Sequence, residues 1–453
     1  MNSYSRYARD SNEELLPETL KYIRDVNVDY RKLWGQFFTP KSIREELLES
    51  IPKIKRPKVI DPSCGTGEFL LSAQEYFGDA DLYGWDIEKR LIDIARKVVP
   101  EAHIECTDAL KKEYCGEFDF VIGNPPYYEF KPDREIKMRF SEIIWGRLNI
   151  YSLFIWLGIK LLKEGGYLAY VVSPSMNNGA YFAYLRRFIV RNANIENIWL
   201  LDSSKIFKGA LQSVMIIVLK KGPNKGDYIF ENNGILLFTE RANYLKNKFE
   251  GKTTPYELGY EAETGKVIWN LNKELLTHSS EDAIPLIWAH NITKDGLKLG
   301  NHKNHKKPQY IKTNKYEVGP AIVVNRIVGR PGTGTIRAAI IPPDMKFVGE
   351  NHVNVIFPPE EANMSEIEYI INQLNSPEKQ EIVRSITGNT QISKNELEKL
   401  FPIDIKNYQS INQLICQKCF SKNVKFIDFN RLSGKAFYKC EDCLSIFEYE
   451  DTD

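Results

Sequence analysis

The 453-residue chain has no apolar run approaching the roughly 20 residues that cross a bilayer. Its start, Met1-Asn2-Ser3-Tyr4-Ser5-Arg6, lacks the apolar centre of a secretory leader, so a cytoplasmic protein is expected. Net charge is nearly absent, +1 from 61 basic and 60 acidic residues, and the overall balance identifies no partner. Cysteine is scarce. Seven is an odd number, ill suited to a disulfide framework. None follows a proline, which leaves cytosine C5 methylation without its Pro-Cys nucleophile. No unit repeats.

Length points to two domains and a small appendage. Strand-like runs at Val59-Ile60, Asp81–Trp85, Ala102–Cys106, Phe118–Ile122, Tyr167–Val172, Ile198–Leu201 and Val214–Leu219 are interleaved with helical stretches at Glu68–Phe77, Ile87–Val98 and Ile150–Leu162. That alternation predicts an α/β fold with a Rossmann-like sheet of about seven strands. The breaker run Lys221-Gly222-Pro223-Asn224-Lys225-Gly226 ends it, giving a first domain over 1–226. An α+β recognition domain is expected over 227–410. The remainder, 411–453, is too short to hold a core unaided.

Asn124-Pro125-Pro126-Tyr127 follows the run Phe118–Gly123 and so sits at a strand's carboxyl end, where open α/β sheets bind ligands. The Asn124 side-chain carbonyl and the Pro125 backbone carbonyl are two acceptors, and the prolines hold both at fixed angles. Two acceptors can grip both hydrogens of an exocyclic amine and free its delocalised lone pair for attack. Tyr127 offers a face for stacking. The chemistry expected is methylation of an amine.

Asp61-Pro62-Ser63-Cys64-Gly65-Thr66-Gly67-Glu68 forms a glycine-rich turn after the first strand. Gly65 and Gly67 let the backbone approach a ligand. The turn lacks both the G-x-G-x-x-G spacing of a dinucleotide site and the Gly-Lys-Ser/Thr ending of a phosphate loop. Its acids suit S-adenosylmethionine, whose ammonium and sulfonium would meet Asp61 or Glu68. Asp86 and Asp108 end the next strands, placed to accept ribose hydroxyls and the adenine amine, with Pro126 counted in the same cleft. Each acid could equally cap a helix; their serial placement favours the cleft. Gln36-Phe37-Phe38-Thr39-Pro40 is either a staple and cap or a cover over the cofactor.

The order of Phe-Thr-Pro, glycine-rich Asp-Pro turn, acidic strand ends and Asn-Pro-Pro-Tyr resembles the gamma class of N6-adenine DNA methyltransferases, the group of the Taq enzyme. The resemblance covers about the first 220 residues. It implies that Thr39 touches the methionine moiety, Asp86 the ribose and Asp108 the adenine, on which Phe154 packs. Phe207, in Ile206-Phe207-Lys208-Gly209, resembles the aromatic that contacts the extruded target base; core packing is the alternative for both phenylalanines. Direct transfer to a base within a duplex requires flipping, at a cost of a few kcal/mol. The implied partner is double-stranded DNA. The implied role is the modification half of a restriction-modification system, a monomer whose endonuclease is a separate chain.

Between Asn291 and Ile340 ten Lys or Arg face two acids, amid Tyr310 and Tyr316. Either this is a solvated loop or a nucleic-acid surface, with Lys306, Lys307, Asn325, Arg326, Arg330 and Arg337 as candidate contacts. Gly349-Glu350-Asn351-His352 lies just beyond. Cys416-x-x-Cys419 and Cys440-x-x-Cys443 have the spacing of a closed structural zinc site, and the tail resembles a zinc ribbon. Two other readings compete: a protein glutamine-N5 methyltransferase sharing the Asn-Pro-Pro-Tyr core, and a DNA-binding zinc-ribbon protein with a vestigial cofactor fold.

Overall fold

The computed structural model describes residues 15–113, 116–201, 214–300, 307–329, 334–386, 391–405, 418, 424–430 and 435–450. These form two compact units, the first reaching to Lys246 and the second taking up Asn247–Gly329, Gly334–Arg384 and the described residues from Gln391 onward. Among the described residues no helix is long and apolar enough to cross a membrane.

The first unit begins with helices α1 (Pro17–Asp25), α2 (Val28–Leu33) and α3 (Lys41–Glu49). It continues as β1 (Lys58–Asp61), α4 (Glu68–Phe77), β2 (Asp81–Asp86), α5 (Lys89–Val98), β3 (His103–Cys106) and β4 (Phe118–Gly123). After a short helix α6 (Arg134–Arg139) come α7 (Tyr151–Leu161), β5 (Leu162–Val172), α8 (Ala183–Asn192), β6 (Ala193–Leu201) and β7 (Val214–Lys221). The seven strands form one sheet in the order β3-β2-β1-β4-β5-β7-β6. Only β7 runs against its neighbours.

The sequence dictates this layering. β4 is apolar on both faces because helices cover both sides of the sheet. On one side α3, α4 and α5 supply Leu47, Leu70 and Ile92 to a core; on the other α7 and α8 supply Phe154, Leu157 and Ile189. Helix α7 is apolar almost all round and accordingly buried, while α5 buries only Leu91, Ile92 and Ala95 beneath a charged outer face.

Two expectations change. The strand expected from Tyr167 starts earlier, since α7 ends at Leu161 and β5 already contains Gly165 and Gly166. Gly165 has φ +77° where the pairing register with β4 shifts, a conformation that costs glycine little. The first compact unit also extends past the 226/227 division. A hairpin of β8 (Ile229–Asn232) and β9 (Ile235–Phe238) docks on α8, whose buried Arg186 donates to the Leu236 carbonyl at 2.7 Å.

In the second unit β10 (Glu261–Thr264), β12 (Ala321–Asn325), β13 (Ala338–Ile341) and β15 (Val353–Phe357) form a four-stranded sheet, interleaved in the chain with strands β11 (Ile284–Ile287) and β14 (Lys346–Gly349) of a second sheet. Ile287, Val323, Phe347 and Val355 share a core between them. The tail is a three-stranded antiparallel sheet, β16 (Val424–Asn430), β17 (Lys435–Cys440) and β18 (Ile446–Glu450).

Candidate active site

At the carboxyl ends of β1, β2, β3 and β4 the first unit holds a cavity of about 490 Å³. Asp61, Gly65, Asp86 and Asp108 line it from the strand ends, Asn124 and Pro126 from the loop after β4, and Thr39, Glu68 and Phe154 from the flanking helices. Nine residues singled out in the sequence thus share one space.

Asp61 is 1% exposed and accepts from the Ser63 N–H at 3.0 Å. Gly123 makes room for it: at φ +145° an added Cβ would fall 2.6 Å from the carboxylate. Burial and then the nearby Asp86 charge push the Asp61 carboxyl up to about 8, and a cation bound beside it would favour the ionised form. Asp86 accepts from the Gly65 N–H and the Glu88 N–H, each at 2.9 Å. Burial pushes it up too. Its carboxylate therefore ties the glycine turn to β2. Asp108 caps a 3₁₀ turn through Leu110 N–H at 3.0 Å and lines the cavity as well, so capping and lining coexist.

The two glycines differ. Gly65, at φ +55°, has nothing within 4 Å of where a Cβ would stand. At Gly67 a Cβ would lie 3.2 Å from the Ala95 Cα, so this glycine serves the packing of α4 on α5. Glu68 is engaged as well. It meets the Arg44 guanidinium at 2.5 Å and accepts from Leu16 N–H at 3.2 Å, while Arg44, 2% exposed, also holds the Thr39 carbonyl and the Ser72 hydroxyl. The pair braces the cavity wall.

Asn124 is held on every side. Its amide N–H groups donate to the Phe37 carbonyl at 3.1 Å and the Thr39 hydroxyl at 3.0 Å. The Tyr127 hydroxyl contacts Asn124 Oδ1 and lies 2.6 Å from the Val171 carbonyl. Both amide hydrogens being committed to oxygens, Oδ1 has a fixed direction and one lone pair left. No backbone N–H among the described residues donates to the Pro125 carbonyl. The two acceptors foreseen in the sequence thus remain available.

Thr39, expected against the methionine moiety, lines the cavity, and its hydroxyl also accepts from Asn124 Nδ2. Tyr127, expected as a stacking face, has its hydroxyl turned inward and its ring set beside Phe37 and Tyr151, with centroids 6.2 and 5.8 Å away. It positions Asn124. Gly35 seats the amino-terminal segment on this loop: at φ +60° an added Cβ would lie 2.5 Å from the Tyr127 N. Sequence reasoning missed Arg44, Tyr30 and Glu88. Glu88, two residues past Asp86 in the same cavity, accepts from Tyr30 Oη at 2.6 Å and from Arg90 Nε at 2.9 Å, and Arg90 holds its carboxyl low. The polar pair at the end of β2 was the available signal.

In the second unit Lys307 stands over the Trp288 ring at 5.3 Å. Asn325 closes a loop, donating to the Ile327 and Thr335 carbonyls at 2.8 and 3.2 Å and accepting from Arg337 N–H at 2.5 Å. Both amide hydrogens are thereby committed, and Oδ1 keeps one lone pair. Arg326 donates to the Asn351 backbone and side-chain carbonyls at 3.0 and 3.1 Å. Arg337 is exposed. Cys440 is buried and Cys443 half-buried on one turn, closed by Cys440 N–H to the Ser445 carbonyl at 2.8 Å, and no metal-binding group of His, Cys, Asp or Glu forms among the described residues. Phe207, Lys306, Arg330, Cys416 and Cys419 lie outside the described residues.

Residues 30–207 match the Eco57I restriction-modification methylase family. The chain is 26% identical to the modification methylase CviBIII of Paramecium bursaria Chlorella virus NC1A, over 69% of this chain and 79% of that protein. It is also 26% identical to the type II methyltransferase M.BsuBI of Bacillus subtilis, over 81% and 87% respectively. Among solved structures it is similar to the type I restriction-modification methyltransferase subunit from Streptococcus thermophilus, with 17% identity, TM-score 0.37, and 48% and 53% of the two chains covered.

Proposed function

We propose that the chain transfers a methyl group from S-adenosylmethionine to the N6 amine of an adenine flipped out of duplex DNA, as the modification enzyme of a restriction-modification system. The observation that carries this reading is the immobilised Asn124 amide, whose one free Oδ1 lone pair stands beside the Pro125 carbonyl. The similarity to type II methyltransferases supports the DNA substrate.

The residues present fit the cofactor. Asp61 answers its cationic end, the open turn at Gly65 admits its backbone-facing edge, and Asp108 with Phe154 suits its adenine. Bound there, S-adenosylmethionine supplies a methyl carbon on a sulfonium, open to direct displacement by nitrogen. Asn124 and Pro125 hold the two N–H hydrogens of the target amine and turn its lone pair out of the ring plane. The cofactor sulfur would be the leaving group and the amine proton would pass to solvent, while Asn124 and Pro125 keep the nitrogen in place. Tyr127 and Thr39 keep the Asn124 carbonyl on target throughout.

Zinc held by Cys416, Cys419, Cys440 and Cys443 completes the tail in this reading, as a structural ion that contributes folding energy. The enzyme acts as a cytoplasmic monomer, its endonuclease a separate chain. The test is methyl transfer from labelled cofactor to varied duplexes, with Asn124→Ala as control. N6-methyladenine in a short motif, lost in Asn124→Ala with cofactor affinity retained, is expected. Label on cytosine N4 would change the base, and label on a polypeptide would replace DNA by a protein amide.

A further inference from the structure

The turn between β14 and β15, Glu350-Asn351-His352, is clamped from three directions. Glu350 N–H donates to the Ile287 carbonyl at 3.0 Å, Asn351 N–H to that of Val267 at 2.8 Å, and Arg326 N–H to that of His352 at 2.8 Å. Gly265 lies so close that an added Cβ would fall 2.1 Å from the Glu350 carbonyl oxygen. What this rigid turn carries is unusual. The Glu350 side chain is 1% exposed, and its oxygens receive the His352 backbone N–H at 2.9 Å and the imidazole Nδ1 at 2.9 Å.

A carboxylate that deeply buried is costly unless hydrogen-bonded, and His352 supplies the bonds. Because a carboxylate only accepts, Nδ1 must carry the hydrogen, which fixes the tautomer. In the neutral ring Nε2 is then an acceptor. The side chain is 40% exposed, and among the described residues Nε2 has no partner. Arg326, pinned to Asn351, and exposed Arg337 lie on neighbouring stretches of the basic region. A flexible surface histidine would need none of this. The arrangement holds one lone pair in a set direction on a turn bonded to Arg326.

We propose that His352 is a specificity-determining residue whose Nε2 accepts a hydrogen bond from an exocyclic amine, of adenine or cytosine, in the major groove of the bound duplex. Glu350 positions it. The proposal rests on the DNA-methyltransferase reading and deepens it by assigning a base-reading group. Phosphates are excluded as its target, since they offer no hydrogen to an acceptor nitrogen; each of those two bases does, on its major-groove edge.

The full-length chain is used throughout. The modified motif is first mapped by sequencing DNA from expressing cells. His352→Ala, and the double variant Glu350→Gln/His352→Ala, which removes the buried charge together with the ring, are then compared with wild type on single-base-pair variants of that motif. The expected result is about tenfold lost discrimination at one base pair, with non-specific duplex affinity and its salt slope unchanged. At that position a purine or pyrimidine analogue lacking the exocyclic amine weakens wild type and not the variants, and which analogue does so distinguishes adenine from cytosine. Unchanged discrimination at every position overturns the proposal, as does a uniform loss with a shallower salt slope, the signature of a phosphate contact. If wild type methylates no DNA at all, it is the underlying reading that fails.

Discussion

Thr39→Val separates two accounts of the same residue. If Thr39 served the cofactor alone, its loss would weaken cofactor binding; its hydroxyl, in a 5%-exposed position, accepts from Asn124 Nδ2 at 3.0 Å. Valine keeps the shape and removes the acceptor, leaving an amide N–H unpaired. Such a loss costs about 1–3 kcal/mol, or frees the amide to turn and aim the wrong atom at the substrate. Expressed in the transition state, where Oδ1 grips the amine, that becomes roughly a 5- to 150-fold slower transfer step. Single-turnover methylation of duplex DNA measures it, beside a cofactor titration of the same protein. Thr39→Ser, which retains the hydroxyl, should recover most of the rate. A cofactor Kd raised tenfold with an unaltered single-turnover rate would falsify the assignment.

Three further outcomes are expected. The Asp61 carboxyl, raised from 3.8 to about 8, binds a proton in the folded chain that the unfolded chain has already released, so ligand-free stability should fall as pH rises from about 4 to about 8 and level off above. Asp61→Asn should flatten that decline in thermal unfolding, and parallel wild-type and variant curves would contradict it. Glu68→Ala leaves the Arg44 guanidinium, 2% exposed, without its counter-ion and should lower stability by about 3–5 kcal/mol in denaturant unfolding; an unchanged midpoint would show that the pair does not brace the cavity. Metal analysis should find one zinc per chain, lost with Cys440→Ser or chelation, and a metal-free native protein would remove the ribbon.

The strands, the helices and the acids at the strand ends were legible because each depends on neighbours in sequence. The apolar run Phe118–Ile122 marks a covered strand wherever it occurs, and Glu68–Phe77 has the helical period over its whole length. The partners within the site were not. Asn124 meets Thr39 across 85 positions and Glu68 meets Arg44 across 24, and no local pattern reports such pairings. Thus Glu68 and Thr39 were placed in the cavity by their sequence, while their partners Arg44 and Asn124 went unseen. Asn325 differs: an asparagine amid basic residues suits base reading, and the fold also uses the same amide to close a loop. Residue type states what a side chain can bond, and only the fold decides with whom.

The Asn124 carbonyl owes its aim to a strap of chain from Trp34 to Thr39, laid across the loop at Gly35. Proteolytic nicking within that strap would leave the sheet standing and its ligand pocket largely formed, while the amide spun freely. Such a clipped molecule would still take up cofactor and stay silent, so cofactor retention alone is a poor gauge of how much of a preparation is competent.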